Sequence, residues 1–214
     1  MDKRIVLITG ANGYIGRALT QRLGSAYRVI GLDRSPVEDN PDLAASYSID
    51  LADDASVSAA LEKVRDDFGD QLAACIPLAA YFDITGEPNP LYEKVNVEGS
   101  RRLITALQAF DIEQFIYASS MLVHEPKPLP GVRIDESSPL GPTWPYPQSK
   151  ADAEQVLREN RGDIPVVFLR FAGVYDDKGH SAFLAEQIAG VYEHRVSAHL
   201  YPGMLCAAQS ALHL

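Results

Sequence analysis

Short apolar runs alternate along this chain with longer segments whose apolar residues recur at the helical period. Runs rich in β-branched residues, with few polar positions inside them, are typical of strands buried on both faces of a parallel sheet. The predicted strands cover residues 5–9, 28–33, 46–49, 72–78, 114–119 and 166–171. The pattern therefore indicates a sheet whose strands are separated by covering segments.

The segments between these strands carry the helical period. They predict helices over 55–68, 91–110 and 147–160. Within 91–110, apolar residues recur at a spacing that places them on one helix face. This alternation of strand and helix favours an α/β fold, with a doubly wound parallel sheet and helices on both faces.

Three glycines follow the first predicted strand. Gly10, Gly13 and Gly16 lie between that strand and a predicted helix over 17–23. Backbone N–H groups at a helix N-terminus lack intrahelical partners, so a phosphate can bind there when no side chain intrudes. The spacing alone is a weak signal, because glycines also occur in ordinary turns. Its place between strand and helix makes a dinucleotide site the favoured interpretation.

The second predicted strand ends in Asp33, where a carboxylate can bind the ribose hydroxyls of an adenosine. This favours NAD, because the 2′-phosphate of NADP would meet a negative charge. Arg34 argues the other way, since a guanidinium can accept that phosphate, and NADP stays open. The alternative for Asp33 is a solvated turn residue.

Composition limits the classes of function. The chain has 214 residues, 46% of them hydrophobic, and a net charge of −10. It is long enough for one sizeable core, and it has no basic footprint for nucleic acid or for an anionic membrane. Met1 leads directly into a core strand rather than into a signal peptide, so the cytoplasm is the expected compartment. Two cysteines without paired spacing indicate no disulfide and no metal site.

A proline-rich stretch and scattered histidines carry weaker signals. Residues 124–145 contain many prolines, and a stretch of that kind in a compact domain is often functional. We interpret it as a substrate-side flap, with a plain surface excursion as the alternative. His180, His194, His199 and His213 show no metal-ligand spacing, and we expect no metal.

Tyr146 and Lys150 lie four residues apart at the start of a predicted helix, with Pro147 suited to its first turn. A phenol has an ordinary pKa near ~10, and a nearby ammonium is expected to lower it so that the pair can handle a proton. The same spacing occurs by chance on helices, where Tyr packs on a Lys stem. The surrounding motifs favour the catalytic interpretation.

Ser119 and Ser120 end another apolar strand. Ligands of open α/β sheets bind beyond the carboxyl ends of the strands, which is where these hydroxyls are expected. A serine there can donate a hydrogen bond to a carbonyl or alkoxide oxygen. The alternative is a pair of capping or turn-forming serines.

In combination, these motifs resemble the extended short-chain dehydrogenase/reductases, specifically the NAD-dependent epimerase/dehydratase family. The resemblance runs from residue 4 to about 176. Its motifs are residues 9–16, Asp33, Asp50-Leu51, Leu78-Ala79-Ala80, Asn96-Val97-Glu98-Gly99, Ser119-Ser120, Tyr146 with Lys150, Leu169-Arg170 and Val174-Tyr175. It implies a Rossmann-type dinucleotide-binding domain over 1–176 and a partial substrate-side segment over 177–214.

The resemblance also implies roles for individual residues. Ser120 is then the catalytic serine, Tyr146 the acid or base, Lys150 its partner, and Asn96 a support for the lysine through a water. Asp50 and Leu51 contact adenine, and Gly173 approaches the nicotinamide. The candidate cofactor-binding residues are Gly10, Asn12, Gly13, Tyr14, Ile15, Gly16, Asp33, Arg34, Asp50, Leu51, Leu78, Ala79, Ala80, Tyr146, Lys150 and Gly173. A homodimer through helices 91–110 and 147–160 is implied as well.

Departures from the family pattern reduce the number of reactions that we expect. Pro77 stands where the family commonly has His, and His124-Glu125 replaces the usual Tyr-Gly. Met121 and Leu122 cannot exchange protons, which argues against dehydration and leaves oxidation, reduction or epimerisation. The family continues well past Leu214, so we expect a truncated chain whose substrate domain is mostly missing; residues 209–214 resemble the start of a further strand.

Two functions follow as expectations. The first is an NAD-dependent oxidoreductase or epimerase that acts on a hydroxyl or keto group, with a nucleotide sugar as the family-typical small-molecule substrate. The second is a non-catalytic dinucleotide-binding module or an inactive fragment of such an enzyme.

Overall fold

The chain forms a parallel sheet with helices on both of its faces. The computed structural model describes residues 3–36, 40–83, 85–126, 133–177, 181–195 and 211–214. The strands are β1 (Ile5–Thr9), β2 (Arg28–Asp33), β3 (Ala45–Ser48), β4 (Gln71–Leu72), β5 (Ala74–Pro77), β6 (Asp111–Ile112), β7 (Phe115–Ser120), β8 (Val166–Phe171), β9 (Gly173–Tyr175) and β10 (Ala211–His213). The helices are α1 (Tyr14–Leu23), α2 (Asp54–Phe68), α3 (Glu98–Ala106), α4 (Pro145–Asn160) and α5 (Ala182–Tyr192).

The main sheet has the strand order β3-β2-β1-β5-β7-β8, and its strands are parallel. The order reverses beside β1, because the chain first builds outward to β3 and then returns to the other side. Parallel strands place their carboxyl ends at one edge, and a crevice opens there at the point of reversal. The predicted fold class, a Rossmann-type doubly wound sheet, is confirmed.

The two faces of the sheet carry different amounts of covering. On β1, Leu7 points into the cluster formed with α2, α3 and α4, while Val6 and Ile8 point into a smaller cluster with α1. A groove remains beside α1, lined in part by Val6, Ile76 and Ile116. Because successive side chains of β1 point to opposite faces, this strand contributes to the hydrophobic clusters on both faces of the sheet.

The predicted helix over 91–110 is less regular than its pattern. The structure divides it into a π-helical segment (Tyr92–Val97), α3 and a 3₁₀ turn (Leu107–Ala109). The predicted strand 72–78 is also divided, because β4 pairs with β6 outside the main sheet. Apolar periodicity cannot distinguish these variants, since each of them still buries one face.

The far end of the chain contributes a small second sheet. β10 pairs in parallel with β9, with His213 opposite Tyr175, so the expected further strand is confirmed over Ala211–His213. His180, His199 and Cys206 lie outside the described residues, as does part of the proline-rich stretch (127–132). The division of the chain at residue 176 stays a prediction.

Candidate active site

The glycine turn lies at the carboxyl end of β1 and is shaped by close backbone contacts. Gly10 has φ +72°, and a Cβ on it would lie 2.6 Å from the backbone nitrogen of Ala79. A Cβ on Gly16 would lie 2.2 Å from the carbonyl oxygen of Gly10. Any side chain at either position would force the backbone apart. The sequence signal of the three glycines thus has a steric cause.

The helix that follows the turn begins at a glycine and has no side-chain cap. Gly13 is the N-cap of α1, it makes no side-chain cap hydrogen bond, and the first turn contains no acidic residue. The first N–H groups of a helix have no intrahelical acceptor. Tyr14 lies at this start; burial raises its pKa, and the nearby Asp176 carboxylate adds to the effect. The turn is therefore a place where an anion can meet backbone donors without a competing carboxylate from the cap.

Asp33 ends β2 next to this turn. Its carboxylate accepts hydrogen bonds from the backbone N–H groups of Asn12, at 3.1 Å, and of Arg34, at 2.8 Å. These bonds hold the carboxylate beside the glycine turn, and its contact with a ribose stays a prediction. The Arg34 side chain is exposed, and nothing in its placement excludes a 2′-phosphate.

The neighbouring strand ends complete this part of the crevice. The backbone N–H of Ala79 donates to the carbonyl of Thr9, at 3.1 Å, which places 78–80 along the glycine turn. Asp50 is exposed just after β3, while the Leu51 side chain is 6% exposed and belongs to the core. The carbonyl of Leu51 accepts a hydrogen bond from Arg102, at 3.2 Å, so the predicted contact of Leu51 with adenine stays a prediction.

The sheet opens between β5 and β7 near the serines. The N–H of Cys75 donates to the carbonyl of Gln114, just before β7, and the register pairs Cys75 with Phe115, whereas β7 pairs with β8 through to Ser120. Pro77 lies two residues after Cys75 on β5, so its backbone nitrogen also faces β7. A proline nitrogen has no hydrogen to donate to that strand. The departure noted at this position therefore limits the hydrogen-bond ladder between β5 and β7.

Tyr146 and Lys150 lie on the first turns of α4, and their action as a proton-handling pair stays a prediction. The ammonium of Lys150 donates to the carbonyl of Ala118, at 2.8 Å, and lies 6.0 Å from the ring centre of Tyr146. Burial raises the pKa of Tyr146 to about 12, with a further contribution from Tyr92, and burial lowers the pKa of Lys150 to about 8. Burial and Tyr92 account for the raised pKa of the phenol, so the lowering of this pKa by Lys150 stays a prediction.

Aromatic rings surround the phenol, and the sequence analysis missed them. The ring of Phe82 meets that of Tyr146 edge-on at 4.7 Å, and the rings of Trp144 and Tyr92 lie at 5.6 and 6.4 Å. Phe82 is nevertheless 56% exposed. Phe82 and Tyr92 are far from Tyr146 along the chain, so no spacing rule would have found them.

The two serines separate into different environments. The hydroxyl of Ser119 donates to the carboxylate of Glu154, at 2.6 Å. The oxygen of Ser120 accepts the N–H of Leu122, at 3.2 Å, which leaves its own hydrogen to donate elsewhere. Ser120 therefore acts as a cap and still keeps a donor at the carboxyl edge.

Asn96 lies in the π-helical segment, 2% exposed. Its amide donates to the carbonyl of Tyr81 and to the hydroxyl of Ser149, at 3.0 and 2.9 Å, and its oxygen accepts the N–H of Tyr81. Asn96 thus connects the backbone of Tyr81 to α4, the helix that carries Lys150. Its predicted support of the lysine itself stays a prediction.

Gly173 opens β9 and is exposed, beyond the carboxyl end of β8. Within the part of the chain that the structure describes, no group of three or more His, Cys, Asp or Glu side chains could hold a metal ion. None of the described helices combines the length and the apolar character needed to cross a bilayer.

Relatives of known structure share this arrangement of strands. The chain is similar to a short-chain dehydrogenase/reductase superfamily protein from Agrobacterium tumefaciens crystallised with bound NAD, with a TM-score of 0.67 and 26% identity, over 92% of this chain and 61% of that one. It is similar to the UDP-glucose 4-epimerase of Thermus thermophilus in complex with NAD, with a TM-score of 0.69 and 25% identity, over 89% of this chain and 63% of that one.

A curated relative and a family profile agree with this likeness. The N-acetyl-alpha-D-glucosaminyl-diphospho-ditrans,octacis-undecaprenol 4-epimerase of Escherichia coli O157:H7 is 27% identical over 191 residues, which cover 86% of this chain and 54% of that protein. The chain thus spans about half the length of this relative. The profile of the NAD dependent epimerase/dehydratase family matches residues 6–203. The chain therefore belongs to the NAD dependent epimerase/dehydratase family.

Proposed function

We propose that this chain binds NAD at the carboxyl edge of its sheet and supplies the proton-handling groups of an oxidoreductase or epimerase. The substrate carries a hydroxyl or keto group, and a nucleotide sugar is the preferred class. One observation carries the proposal: the glycine turn after β1 and the group formed by Ser120, Tyr146 and Lys150 lie at the same edge of one sheet. Neither the glycine turn nor the group of Ser120, Tyr146 and Lys150 would favour this reaction by itself.

The residues at the turn fit a dinucleotide. Gly10 and Gly16 keep side chains out of the space beside the start of α1, where N–H groups can bind a pyrophosphate. Asp33 lies at the end of β2, where its remaining lone pairs can accept the ribose hydroxyls. The negative charge of Asp33 favours NAD, and the exposed Arg34 leaves NADP as a weaker ligand.

When bound, the nicotinamide supplies hydride transfer to or from the substrate carbon. Ser120 donates its hydroxyl hydrogen to the substrate oxygen and orients it. Tyr146 exchanges the proton of that same oxygen: it gives the proton when a ketone is reduced and takes it when an alcohol is oxidised. With a pKa raised to about 12, the phenol is protonated at neutral pH and is prepared to donate.

Oxidation needs a lower phenol pKa, and Lys150 can provide it. Its ammonium would have to leave the carbonyl of Ala118 and approach the phenolate oxygen, where its charge would stabilise the anion. This movement is part of the proposal. Transfer of hydride back to the opposite face of the ketone would make the overall reaction an epimerisation.

Replacing Tyr146 by Phe tests the proposal. Turnover should fall by roughly 10²- to 10⁴-fold, because the variant has no proton to exchange, while the dissociation constant for NAD should change little. Hydride transfer is followed by NADH absorbance, and NAD binding by fluorescence titration. Tyr27→Phe is a matched control, because Tyr27 lies beside the groove at the opposite end of the strands. A Tyr146→Phe protein that keeps its turnover would refute the assignment.

A non-catalytic dinucleotide-binding module is the second candidate, because the ammonium of Lys150 is bound to the carbonyl of Ala118 and the pKa of Tyr146 is raised. A panel of nucleotide sugars and of hydroxysteroid- or flavonoid-type ketones separates the two. Tight NAD binding without hydride transfer to any of them would favour the module. The homodimer through the helices of 91–110 and α4 stays a prediction.

A further inference from the structure

A carboxylate shielded from water lies on the same helix as the proposed proton-handling pair. Glu154 is 0% exposed and follows Lys150 by one helical turn and Tyr146 by two. Residues four apart share a helix face, and Lys150 and Glu154 both contact β7, through Ala118 and Ser119. The proposed reaction gives no task to Glu154. A charge this deeply buried needs partners.

The partners of Glu154 join the helix to two strands. Ser119 on β7 donates to its Oε1, at 2.6 Å. Arg170 on β8 donates through Nε, at 3.0 Å, and through Nη2, at 2.7 Å, one bond to each carboxylate oxygen. Arg158 adds a bond of 2.9 Å from the next turn of α4. Burial alone raises the pKa of Glu154, but the bonds from Arg170, Ser119 and Arg158 outweigh it and lower that pKa below its ordinary value.

Arg170 carries the connection further, to the loop that leads into α4. Its Nη1 lies 3.1 Å from Nε2 of His124, and Nδ1 of His124 lies 3.0 Å from the carbonyl oxygen of Ser138. A guanidinium can only donate, so Nε2 accepts and Nδ1 carries the hydrogen that Ser138 accepts. Backbone bonds from Glu125 to Pro139 and from Gly141 to Val123 hold the same two segments together.

We propose that Glu154 is a positioning residue that fixes α4 against β7 and β8, so that Tyr146 and Lys150 are aligned with Ser120. The inference rests on the proposed function of those three residues. Buried ion pairs contribute little net stability, but a bidentate arginine–carboxylate pair imposes one geometry. Ser119, tied to Glu154, is the immediate neighbour of Ser120. A small displacement at the reacting groups can lower a rate by roughly 100-fold.

The chain contains its own reporter of this alignment. Trp144 is the single tryptophan, it is the N-cap of α4, and its ring lies 5.6 Å from that of Tyr146. Its emission maximum and its quenching by acrylamide report the start of the helix without any turnover. Three variants are compared with the wild type: Glu154→Gln, the double variant Glu154→Met with Arg170→Met, and the control Glu159→Gln, an exposed position on the same helix.

Glu154→Gln leaves Arg170 without its anion and should lower Tm by roughly 10 °C. The double variant replaces the pair by apolar groups and should recover most of that loss. In both variants the Trp144 emission should shift and turnover should fall by roughly 10- to 100-fold, while NAD affinity stays within about 2-fold. Glu159→Gln should match the wild type in every readout.

A purely structural role gives a different result. A double variant with the Tm, the Trp144 emission and the turnover of the wild type would overturn the proposal. If that variant does not fold, Arg170→Lys keeps the charge but loses the planar fork, and it should show the same Trp144 shift; an unchanged spectrum would again overturn it. Failure of the proposed function is recognised separately, by wild-type protein without NAD binding or by an active Tyr146→Phe variant, and the Trp144 readout remains decisive in either case.

Discussion

The proposed site has two parts that differ in structure, and we name them the nucleotide half and the catalytic half after the functions proposed for them. The nucleotide half, from β1 through α1 to β2, depends on backbone: two glycines that tolerate no Cβ and a carboxylate held by backbone N–H groups. The catalytic half, β7 with α4, depends on side chains brought from distant parts of the chain. Backbone sites need no buried charge, whereas the catalytic half buries Lys150 and Glu154. We expect substitutions in the nucleotide half to impair it by steric intrusion, and substitutions in the catalytic half to impair it by altered electrostatics.

The largest effect is expected at Gly16. Gly16→Ala places a Cβ where the carbonyl oxygen of Gly10 now lies, so the turn must open and NAD affinity should fall by at least ~100-fold, with a stability loss of about 1–3 kcal/mol. NAD titration and urea denaturation measure the two effects.

A control separates intrusion from general destabilisation. Gly69 has φ +86° and ψ −173°, and a Cβ added there would have no atom within 4 Å, so Gly69→Ala should cost about 1–3 kcal/mol of backbone strain and leave NAD affinity intact. Unchanged NAD affinity in Gly16→Ala would contradict the steric account of the nucleotide half.

The second effect is a pH dependence carried by the catalytic half. Burial lowers the pKa of Lys150 from 10.5 to about 8, so the unfolded chain binds more protons than the folded one between these values. The contribution of Lys150 to the free energy of unfolding should therefore rise with pH, by about 2 kcal/mol between pH 8 and pH 10. The buried Cys75 thiol and the buried tyrosines have raised pKa values and act in the opposite direction over the same range, so the contribution of Lys150 is measured as the difference between the wild type and a variant at this position.

Lys150→Met should remove this contribution and should stabilise the protein by about 3 kcal/mol at pH 7, where the wild type bears the cost of a buried charge. Urea denaturation from pH 7 to pH 10 measures both. Lys63→Met, at an exposed position on α2, is the control and should keep the slope of the wild type. A variant at Lys150 that retains the slope would show that another group causes it.

The smallest effect is expected at the ribose end of the nucleotide half. Asp33→Asn keeps a hydrogen-bond acceptor but removes the charge, so the preference for NAD over NADP should fall by roughly 10-fold. Isothermal titration with both nucleotides measures it. Adding Arg34→Ala to this variant should weaken NADP and leave NAD unchanged; equal loss of both ligands would place Arg34 outside the phosphate contact.

Local rules were sufficient for the fold and for half of the site. Apolar runs predicted the strands of the main sheet to within one or two residues at most ends, and the glycines with Asp33 predicted the crevice. They failed at the boundaries that depend on pairing, such as the separation of β4 from β5 and the π-helical segment before α3. Those features depend on residues that are neighbours in space, and the periodicity of the sequence carries no information about such neighbours.

The sequence by itself determined the parallel sheet, the turn that no side chain can enter and the identity of the polar groups at its edge, because these depend on local sterics and on the period of burial. Only the tertiary structure decided the state of those groups. It placed Phe82 and Tyr92 around Tyr146, bound Lys150 to Ala118 and tied Ser119 to Glu154. A pKa or a free hydrogen depends on what surrounds a group in three dimensions, and residues distant along the chain supply those surroundings.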